Sequence, residues 1–241
     1  MGLEKIESFL GSHIEGFFNR RFSSDLEPVE MAEGLRKEIK SLARDEEGIP
    51  HVVLFTLNPQ DYSRLCAKRV QDDLYAEIER EIIRAGTFMA GELILRLSAS
   101  EELKRGVFDL VFQRDENEGE EQEDTIVLGK PSLLEKNPPP GPRQHKLVSL
   151  SVLEGPDKEA YLEFGEQKIY IGRKDKNEFI LTDTNASRLH AWVAYERHRH
   201  VLYDARSTNG TFVNDQLVES CQLNNGDRIR IGSTLLKYEV I

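Results

Sequence analysis

The first half of the chain alternates between helical and strand patterns of apolar residues. Three stretches place apolar side chains on one face at a period of 3.6 residues, which predicts helices, and three β-rich runs predict strands. Pro28 suits the first turn of the second helix, Asn58 can cap the third, and Gly86 ends it. In chain order the predicted elements are helices at 6–18 and 29–42, a strand at 51–57, a helix at 59–85, and strands at 87–97 and 106–112. This α-α-β-α-β-β order predicts a small α+β domain over residues 1–113.

The last part of the chain, residues 147–241, shows no helical period of useful length. Short strand patterns recur there, with turn residues between them. They fall at 147–153, 160–164, 168–172, 178–181, 190–195, 200–203, 211–213, 227–231 and 235–240. Many short strands at close spacing predict an all-β sandwich.

The stretch between these parts, residues 114–146, is predicted to be a linker. Residues 115–124 contain no apolar side chain, so they cannot contribute to a core. The Pro-rich stretch 137–142 can form neither a helix nor a central strand, and it should be extended and rather stiff. We therefore predict two domains joined by a flexible acidic and Pro-rich linker.

Net charge limits the partners of such a protein. The 241 residues include 32 Lys and Arg against 43 Asp and Glu, which gives a formal charge of −11. Of this charge, −6 lies in residues 1–113, −3 in the linker and −2 in residues 147–241. Sequence-independent binding of duplex nucleic acid and polybasic membrane anchoring both need clustered Lys and Arg, so the composition argues against both.

The sequence carries no targeting or metal signal. No apolar run approaches the ~20 residues of a membrane span, and the first residues lack the apolar core of a signal peptide. Cys66 and Cys221 lie too far apart for a metal motif or a disulfide framework, and no nucleotide or zinc-protease motif is present. We expect a cytoplasmic protein with reduced thiols, no membrane insertion, no metal and no cofactor.

Four short motifs stand in order within the strand-rich part. They are Gly172-Arg173, the Ser187–His190 run, the Asp204–Thr211 run and the Leu223–Asp227 run. With these spacings, residues 147–241 resemble the forkhead-associated (FHA) domain. That resemblance implies an eleven-stranded sandwich that reads phosphothreonine-containing peptides.

The residue types in these motifs suit a phosphate ligand. A phosphate near neutral pH carries close to two negative charges and three acceptor oxygens. Arg173 and Arg188 supply guanidinium groups, Ser187 supplies a hydroxyl, and Thr208 and Asn209 lie in a turn that can reach phosphate and peptide backbone. The resemblance assigns phosphopeptide binding to the same five residues. Charge-assisted bonds of about 1.5–3 kcal/mol each allow a micromolar complex.

The His190 side chain, three residues after Ser187, raises the question of catalysis. No acid at a suitable spacing completes a triad. The resemblance instead gives His190 a structural role in bracing the loops, and Gly172 and Gly210 are turn residues that support the site. We expect no enzyme activity and no small-molecule substrate.

Two further details of the sequence lie near the motifs. Lys174, Lys176 and Arg206 either enlarge a basic rim or simply solvate the loops. Asn214-Asp215 stands where relatives often have Asn-Gly, and Asp makes a tight hairpin turn less favourable.

Residues 1–113 resemble the N-terminal domain of bacterial FhaA-type proteins. The motifs that carry the resemblance lie at 14–18, 26–32 and 57–62, and the order of domain, linker and FHA domain matches as well. The resemblance implies a cytoplasmic adaptor associated with Ser/Thr kinase signalling at the cell envelope and division apparatus. Its partners would be phosphothreonine-containing proteins, including the kinase or its substrates, and such a partner could recruit it to the inner face of the membrane.

Three further interpretations compete with this one. The FHA fold could serve as a phosphate-independent assembly module, with the N-terminal domain driving oligomers. Arg36, Lys40 and Arg44 form a basic stripe that could contact nucleic acid or anionic lipid, although a solvated face paired with nearby acids is the simpler account. Thr125, after the acidic run, is a candidate phosphosite whose modified form could bind the FHA domain of its own chain or another, but an ordinary linker threonine is the simpler reading.

Overall fold

The computed structural model describes residues 25–44, 47–89, 91–114 and 145–241. The first predicted helix, the acidic run and Thr125 lie outside the described residues. Within them, an N-terminal α+β part precedes an all-β part, so the predicted fold class is confirmed.

The N-terminal part packs helices against a three-stranded sheet. Its elements are α1 (Pro28–Leu42), β1 (Val52–Leu57), α2 (Pro59–Leu65), α3 (Lys68–Arg84), β2 (Ile94–Ala99) and β3 (Phe108–Gln113). The sheet order is β2-β1-β3, with β1 parallel to β2 and antiparallel to β3. Strand β2 begins at Ile94, later than the apolar pattern predicts.

The helix predicted after Asn58 is present as two helices. The Asn58 side chain caps α2 as expected, accepting a hydrogen bond from the Gln60 N–H at 3.1 Å. The chain then breaks at Ala67, whose ψ of 138° is extended, and the Gln71 amide donates to the Cys66 carbonyl at 2.8 Å. Because the break contains neither Pro nor Gly, the sequence pattern gives no sign of it.

The C-terminal part is a sandwich of eleven strands in two sheets. They are β4 (Val148–Glu154), β5 (Tyr161–Phe164), β6 (Ile169–Gly172), β7 (Phe179–Ile180), β8 (Ala191–Glu196), β9 (Arg199–Asp204), β10 (Thr211–Val213), β11 (Gln216–Val218), β12 (Ser220–Gln222), β13 (Arg228–Ile231) and β14 (Thr234–Val240). One sheet has the order β11-β10-β13-β14-β4-β5, and the other has the order β12-β9-β8-β6-β7. Their facing apolar side chains form one buried core.

Helix α3 takes part in both hydrophobic cores. Leu74, Ile78 and Ile82 are buried in the core of the N-terminal part. Ala76 and Ile83, on another face of the same helix, are buried with the core of the sandwich. The two parts of the chain therefore share an apolar interface along α3.

The turn between β10 and β11 carries backbone strain that can be relieved. Asn214 and Asp215 both have positive φ angles, 49° and 66°, as a tight hairpin turn requires. We expect Asp215→Gly to raise the free energy of unfolding by about 0.5–1 kcal/mol, because Gly adopts this conformation without a Cβ penalty. Thermal unfolding should show a midpoint about 1–4 °C higher. A midpoint that stays the same or falls would show that the turn is not strained.

Candidate functional site

The five residues predicted to bind phosphate line a single cavity. It has a volume of about 420 Å³ and opens between the loop after β6, the loop before β8 and the loop after β9. The predicted residues in its wall are Arg173, Ser187, Arg188, Thr208 and Asn209. The wall is completed by Thr184, Asn185, Ala186 and Leu189.

Strand β6 holds the Ser187 loop by backbone contacts. The Arg173 N–H donates to the Ser187 carbonyl at 3.0 Å, and the Lys174 N–H donates to the Arg188 carbonyl at 2.9 Å. Gly172 allows this approach, since a Cβ at that position would lie 2.8 Å from three backbone atoms of the loop. Arg173 is also oriented by its Nε, which donates to the Ala186 carbonyl at 3.4 Å.

The loop after β9 is tied to the loop before β8 by side chains of the site. The Ser187 hydroxyl oxygen accepts from the Thr208 N–H at 3.1 Å and lies 3.4 Å from the Thr208 hydroxyl. The Asn209 amide donates to the Asn185 carbonyl at 2.8 Å. These contacts set the positions of the hydroxyl and amide groups before any ligand binds.

His190 braces both loops from beneath the cavity. It is fully buried, its Nδ1 accepts from the Ser187 backbone N–H at 2.9 Å, and its Nε2 lies 3.2 Å from the Gly210 carbonyl. This pattern fits a neutral imidazole, and burial lowers the pKa of His190, which also favours that form. Because Nδ1 is used by a backbone N–H, His190 is not placed as a base for the Ser187 hydroxyl.

Two carboxylates outside the cavity wall, Asp204 and Asp183, hold its loops in place. The Asp204 carboxylate accepts from the Ser207 hydroxyl and the Thr211 hydroxyl, each at 2.6 Å. Burial alone would raise the pKa of Asp204, but the hydrogen bonds from Ser207 and Thr211 outweigh it and keep the pKa low.

Asp183 has a matching role that the sequence reasoning missed. It is 1% exposed and accepts from the Asn185 N–H at 2.9 Å and from the Thr234 hydroxyl at 3.0 Å. The available signal was an Asp two residues before Asn185, the spacing of an Asx turn.

The cavity has an excess of positive charge. Arg173 and Arg188 are exposed, and in the described ranges neither forms an ion pair with a carboxylate. Lys174, Lys176 and Arg206 are also exposed, but they do not line the cavity. Two guanidinium groups without carboxylate partners beside a hydroxyl make an anion-binding arrangement.

Comparison with known protein families shows which domain contains the cavity. The family model of the FHA domain matches residues 169–232, a range that includes every residue lining the cavity. The model described as the FhaA N-terminal domain matches residues 3–111. The chain joins an FhaA N-terminal domain to an FHA domain. An FHA domain is a binding module, which agrees with the cavity and with the role of His190.

Two proteins of Mycobacterium tuberculosis are similar to this chain. FhaB of Mycobacterium tuberculosis is 33% identical over 96 residues, which are 39% of this chain and 62% of FhaB. FhaA of the same species is 44% identical over 62 residues, which are 26% of this chain and 12% of FhaA. The chain thus matches less than two thirds of the length of either relative.

A solved structure from a study of phosphothreonine-dependent FHA domain interactions is also similar. It is 33% identical, and the match covers 39% of this chain and 95% of that one, with a TM-score of 0.36.

The basic stripe on α1 is partly neutralised. Arg36 donates from Nη2 to Glu77 at 2.9 Å and from Nε to Glu81 at 3.2 Å. These partners lie on α3 rather than on α1 itself, but the pairing agrees with the simpler account of the stripe. No helix among the described residues is long and apolar enough to span a bilayer.

Proposed function

We propose that this protein is a non-enzymatic signalling adaptor whose FHA domain binds phosphothreonine-containing partner proteins. The observation that carries the proposal is the convergence of Arg173, Ser187, Arg188, Thr208 and Asn209 on one exposed cavity. These side chains come from three separate loops, and a rigid sandwich holds them together.

The geometry supports separate roles for the arginine and serine side chains in binding the phosphate. Arg173 and Arg188 lie free to donate charge-assisted hydrogen bonds to the phosphate oxygens. The Ser187 oxygen already accepts from the Thr208 N–H, and its own O–H has only a long contact to the Thr208 hydroxyl at 3.4 Å. The Ser187 O–H can therefore donate a hydrogen bond to a phosphate oxygen.

Asn209 is the group best placed to bind the peptide backbone. One of its amide protons is used by the Asn185 carbonyl, which fixes the side chain. Its carbonyl oxygen and second amide proton can then pair with a backbone N–H and C=O of the peptide. The phosphate would thus supply most of the affinity, and Asn209 would set the direction of the peptide.

The wider role follows from the two domains. We place the protein in the cytoplasm, downstream of a bacterial Ser/Thr kinase with functions at the cell envelope or in division. A phosphorylated partner would recruit it to the inner face of the membrane. The FhaA N-terminal domain would bring a second activity or binding partner to that site.

The proposal is tested by partner capture with the full chain. A lysate from bacteria that contain Ser/Thr kinases is divided, and one half is treated with phosphatase before capture. We expect proteins with phosphorylated threonine to be retained only from the untreated half. Capture that is insensitive to phosphatase would contradict the proposal and favour an assembly protein, and salt-sensitive retention of RNA or DNA would favour nucleic-acid binding.

A further inference from the structure

The hairpin of strands β8 and β9 reaches from the phosphate site to the N-terminal domain. At its open end, the Ser187 loop precedes β8 and the Thr208 loop follows β9. Its closed end is the turn at Arg197 and His198, and His198 contacts the N-terminal domain. Strands of six residues place these two ends about 20 Å apart.

The turn at the closed end is made of two residues with positive φ angles. Arg197 and His198 have φ angles of 50° and 63°, a conformation in which Asn and Gly are preferred. A residue with a Cβ in this conformation costs some free energy, and a gain in side-chain contacts can offset that cost. Such a gain is visible in the contacts of the His198 ring.

The His198 ring is held by the N-terminal domain on both of its nitrogens. Nδ1 lies 2.7 Å from Oε1 of Glu79 on α3, and Nε2 lies 2.9 Å from the carbonyl of Gly91. Tyr195 on β8 donates its hydroxyl to the other oxygen of Glu79. Glu79 is 1% exposed and the His198 side chain 12%, so the contacts between them are largely shielded from water.

The protonation of this cluster follows from its hydrogen-bond pattern. A neutral imidazole has one donor and one acceptor nitrogen, yet both His198 nitrogens face oxygens. The contacts are complete only if the Glu79–His198 pair holds one extra proton, either on His198 as an imidazolium or on Glu79 as a carboxylic acid. The inference holds for both cases, because the number of protons bound is the same.

The other buried histidines of the sandwich show a different pattern. His190 accepts from a backbone N–H and faces one carbonyl. His200 faces the Tyr238 hydroxyl and the Gly165 carbonyl, each at 2.8 Å. Both are satisfied as neutral rings, and burial lowers the pKa of His200 to about 4. Among these three rings, the extra proton is therefore required only by His198 together with its partner Glu79.

Apolar and backbone contacts complete the interface. Ala76 and Ile83 on α3 are buried with the sandwich core. Arg199 donates to the Gly86 carbonyl, and Arg80 donates to the Lys146 carbonyl at 3.0 Å.

We propose that the N-terminal domain docks on the FHA domain of the same chain through a clasp, formed by Glu79, Tyr195 and His198, that one bound proton holds closed. The shared core along α3 carries the contact, and the clasp makes it depend on pH. Loss of the proton leaves a lone pair of His198 facing an oxygen in a buried site, so the docked arrangement is weakened.

The direction of the pH dependence follows from the groups around the ring. Burial lowers the pKa of His198, but the hydrogen bond and charge of Glu79 outweigh it, with support from the Gly91 carbonyl and Glu166, and the net pKa is raised. Tyr195 stays protonated, since burial raises its pKa as well. A raised pKa means that docking is fully favoured below the ordinary imidazole value of about 6.5 and is lost as pH rises through the docked-state value.

The two native cysteines allow a direct test in the full chain. Cys66 lies in the N-terminal domain and Cys221 in the FHA domain, and both are free and partly exposed. Spin labels on these thiols report the distance between the domains by pulsed electron paramagnetic resonance. We expect a narrow distance distribution at about pH 6 and, at about pH 9, a broad component whose fraction is at least about tenfold larger.

Matched variants separate the clasp from general effects of pH. His198→Gln should give a distribution that is broad and equal at both pH values, because no titrating group remains in the turn. Glu79→Gln should give a narrow distribution that is equal at both pH values, because its amide N–H can donate to Nδ1 of a neutral His198 and its oxygen can accept from Tyr195. Arg197→Gln changes the exposed neighbour in the same turn and should keep the wild-type response.

Several results would overturn the proposal. These are a wild-type distribution that is the same at both pH values, a pH response that survives in His198→Gln, and a molecular mass that doubles with protein concentration, which would place the clasp between copies. The emission of Trp192, the single tryptophan, shows whether each variant keeps a folded sandwich. If His198→Gln does not fold, nuclear magnetic resonance titration of His198 in the wild type decides the matter, since an ordinary or lowered pKa would contradict the clasp.

Discussion

Replacing Arg173 by alanine should weaken the binding of a phosphothreonine peptide by about tenfold to a hundredfold. Arg173 lines the cavity, its backbone is fixed by the Ser187 loop, and its Nε is oriented by the Ala186 carbonyl. The remaining guanidinium nitrogens can therefore form charge-assisted hydrogen bonds to phosphate without further ordering, and such bonds contribute about 1.5–3 kcal/mol each. Isothermal titration at fixed salt measures the change in affinity.

A matched control distinguishes a specific contact from a general loss of charge. Lys176→Ala removes one positive charge near the site from a side chain that does not line the cavity. It should weaken binding by less than about threefold, and added salt should remove even that difference. Equal losses in Arg173→Ala and Lys176→Ala would show that the peptide is attracted by the basic loops and not held by Arg173.

Gly172→Ala should disrupt both the stability and the binding of the FHA domain. Gly172 has a φ of 152°, and a Cβ there would lie 2.8 Å from Ser187 O, Arg188 O and His190 N. The Ser187 loop would have to move away from β6, which should cost about 2–3 kcal/mol of unfolding free energy. Thermal unfolding followed by Trp192 emission should show a midpoint roughly 4–12 °C lower.

Another glycine of the same domain provides the control for backbone strain. Gly226 also has a positive φ, 92°, but a Cβ there would meet nothing within 4 Å. Gly226→Ala should therefore lower the midpoint less than Gly172→Ala and leave peptide affinity nearly unchanged. If Gly172→Ala bound peptide as well as the wild type, the close contact between β6 and the Ser187 loop would not be needed for the site.

The sandwich and its loops could be predicted from the sequence because their signals are local. Short apolar runs separated by Gly, Asn and Asp show where strands turn, and three of the four motifs contain the five residues predicted to bind phosphate. The break between α2 and α3 could not be predicted, because Cys66 and Ala67 are compatible with a continuous helix. The domain boundaries at 113 and 146 remain predictions.

Long-range features could not be predicted from such signals. The Asp183 carboxylate accepts hydrogen bonds from Ser233 and Thr234, which are about fifty residues away in the chain. It thereby connects the Asn185 turn to this distant segment. Glu79 appears in the sequence as one of several charges on an amphipathic helix, and only its position against the β8–β9 hairpin shows it to be buried. From sequence alone, a charged residue on a helix is expected to be exposed to solvent, and only its tertiary contacts show that it is buried.

The β8–β9 hairpin takes part in both proposals, with a different end involved in each. Its open end carries the loops of the phosphate cavity, and its closed end lies in the clasp. The Glu79→Gln and His198→Gln variants leave every residue of the cavity in place. The binding proposal and the docking proposal can therefore fail independently of one another.

Paired titrations of one peptide test the central claim most directly. A peptide selected from a phosphothreonine library is titrated into the full chain by calorimetry, first phosphorylated and then with unmodified threonine, at the same salt concentration. We predict a dissociation constant in the range of about 1–100 µM for the phosphorylated peptide and no measurable binding for the unmodified one. Equal affinity for both peptides, or the absence of any binding peptide in the library, would contradict the assignment of the cavity as a phosphothreonine site.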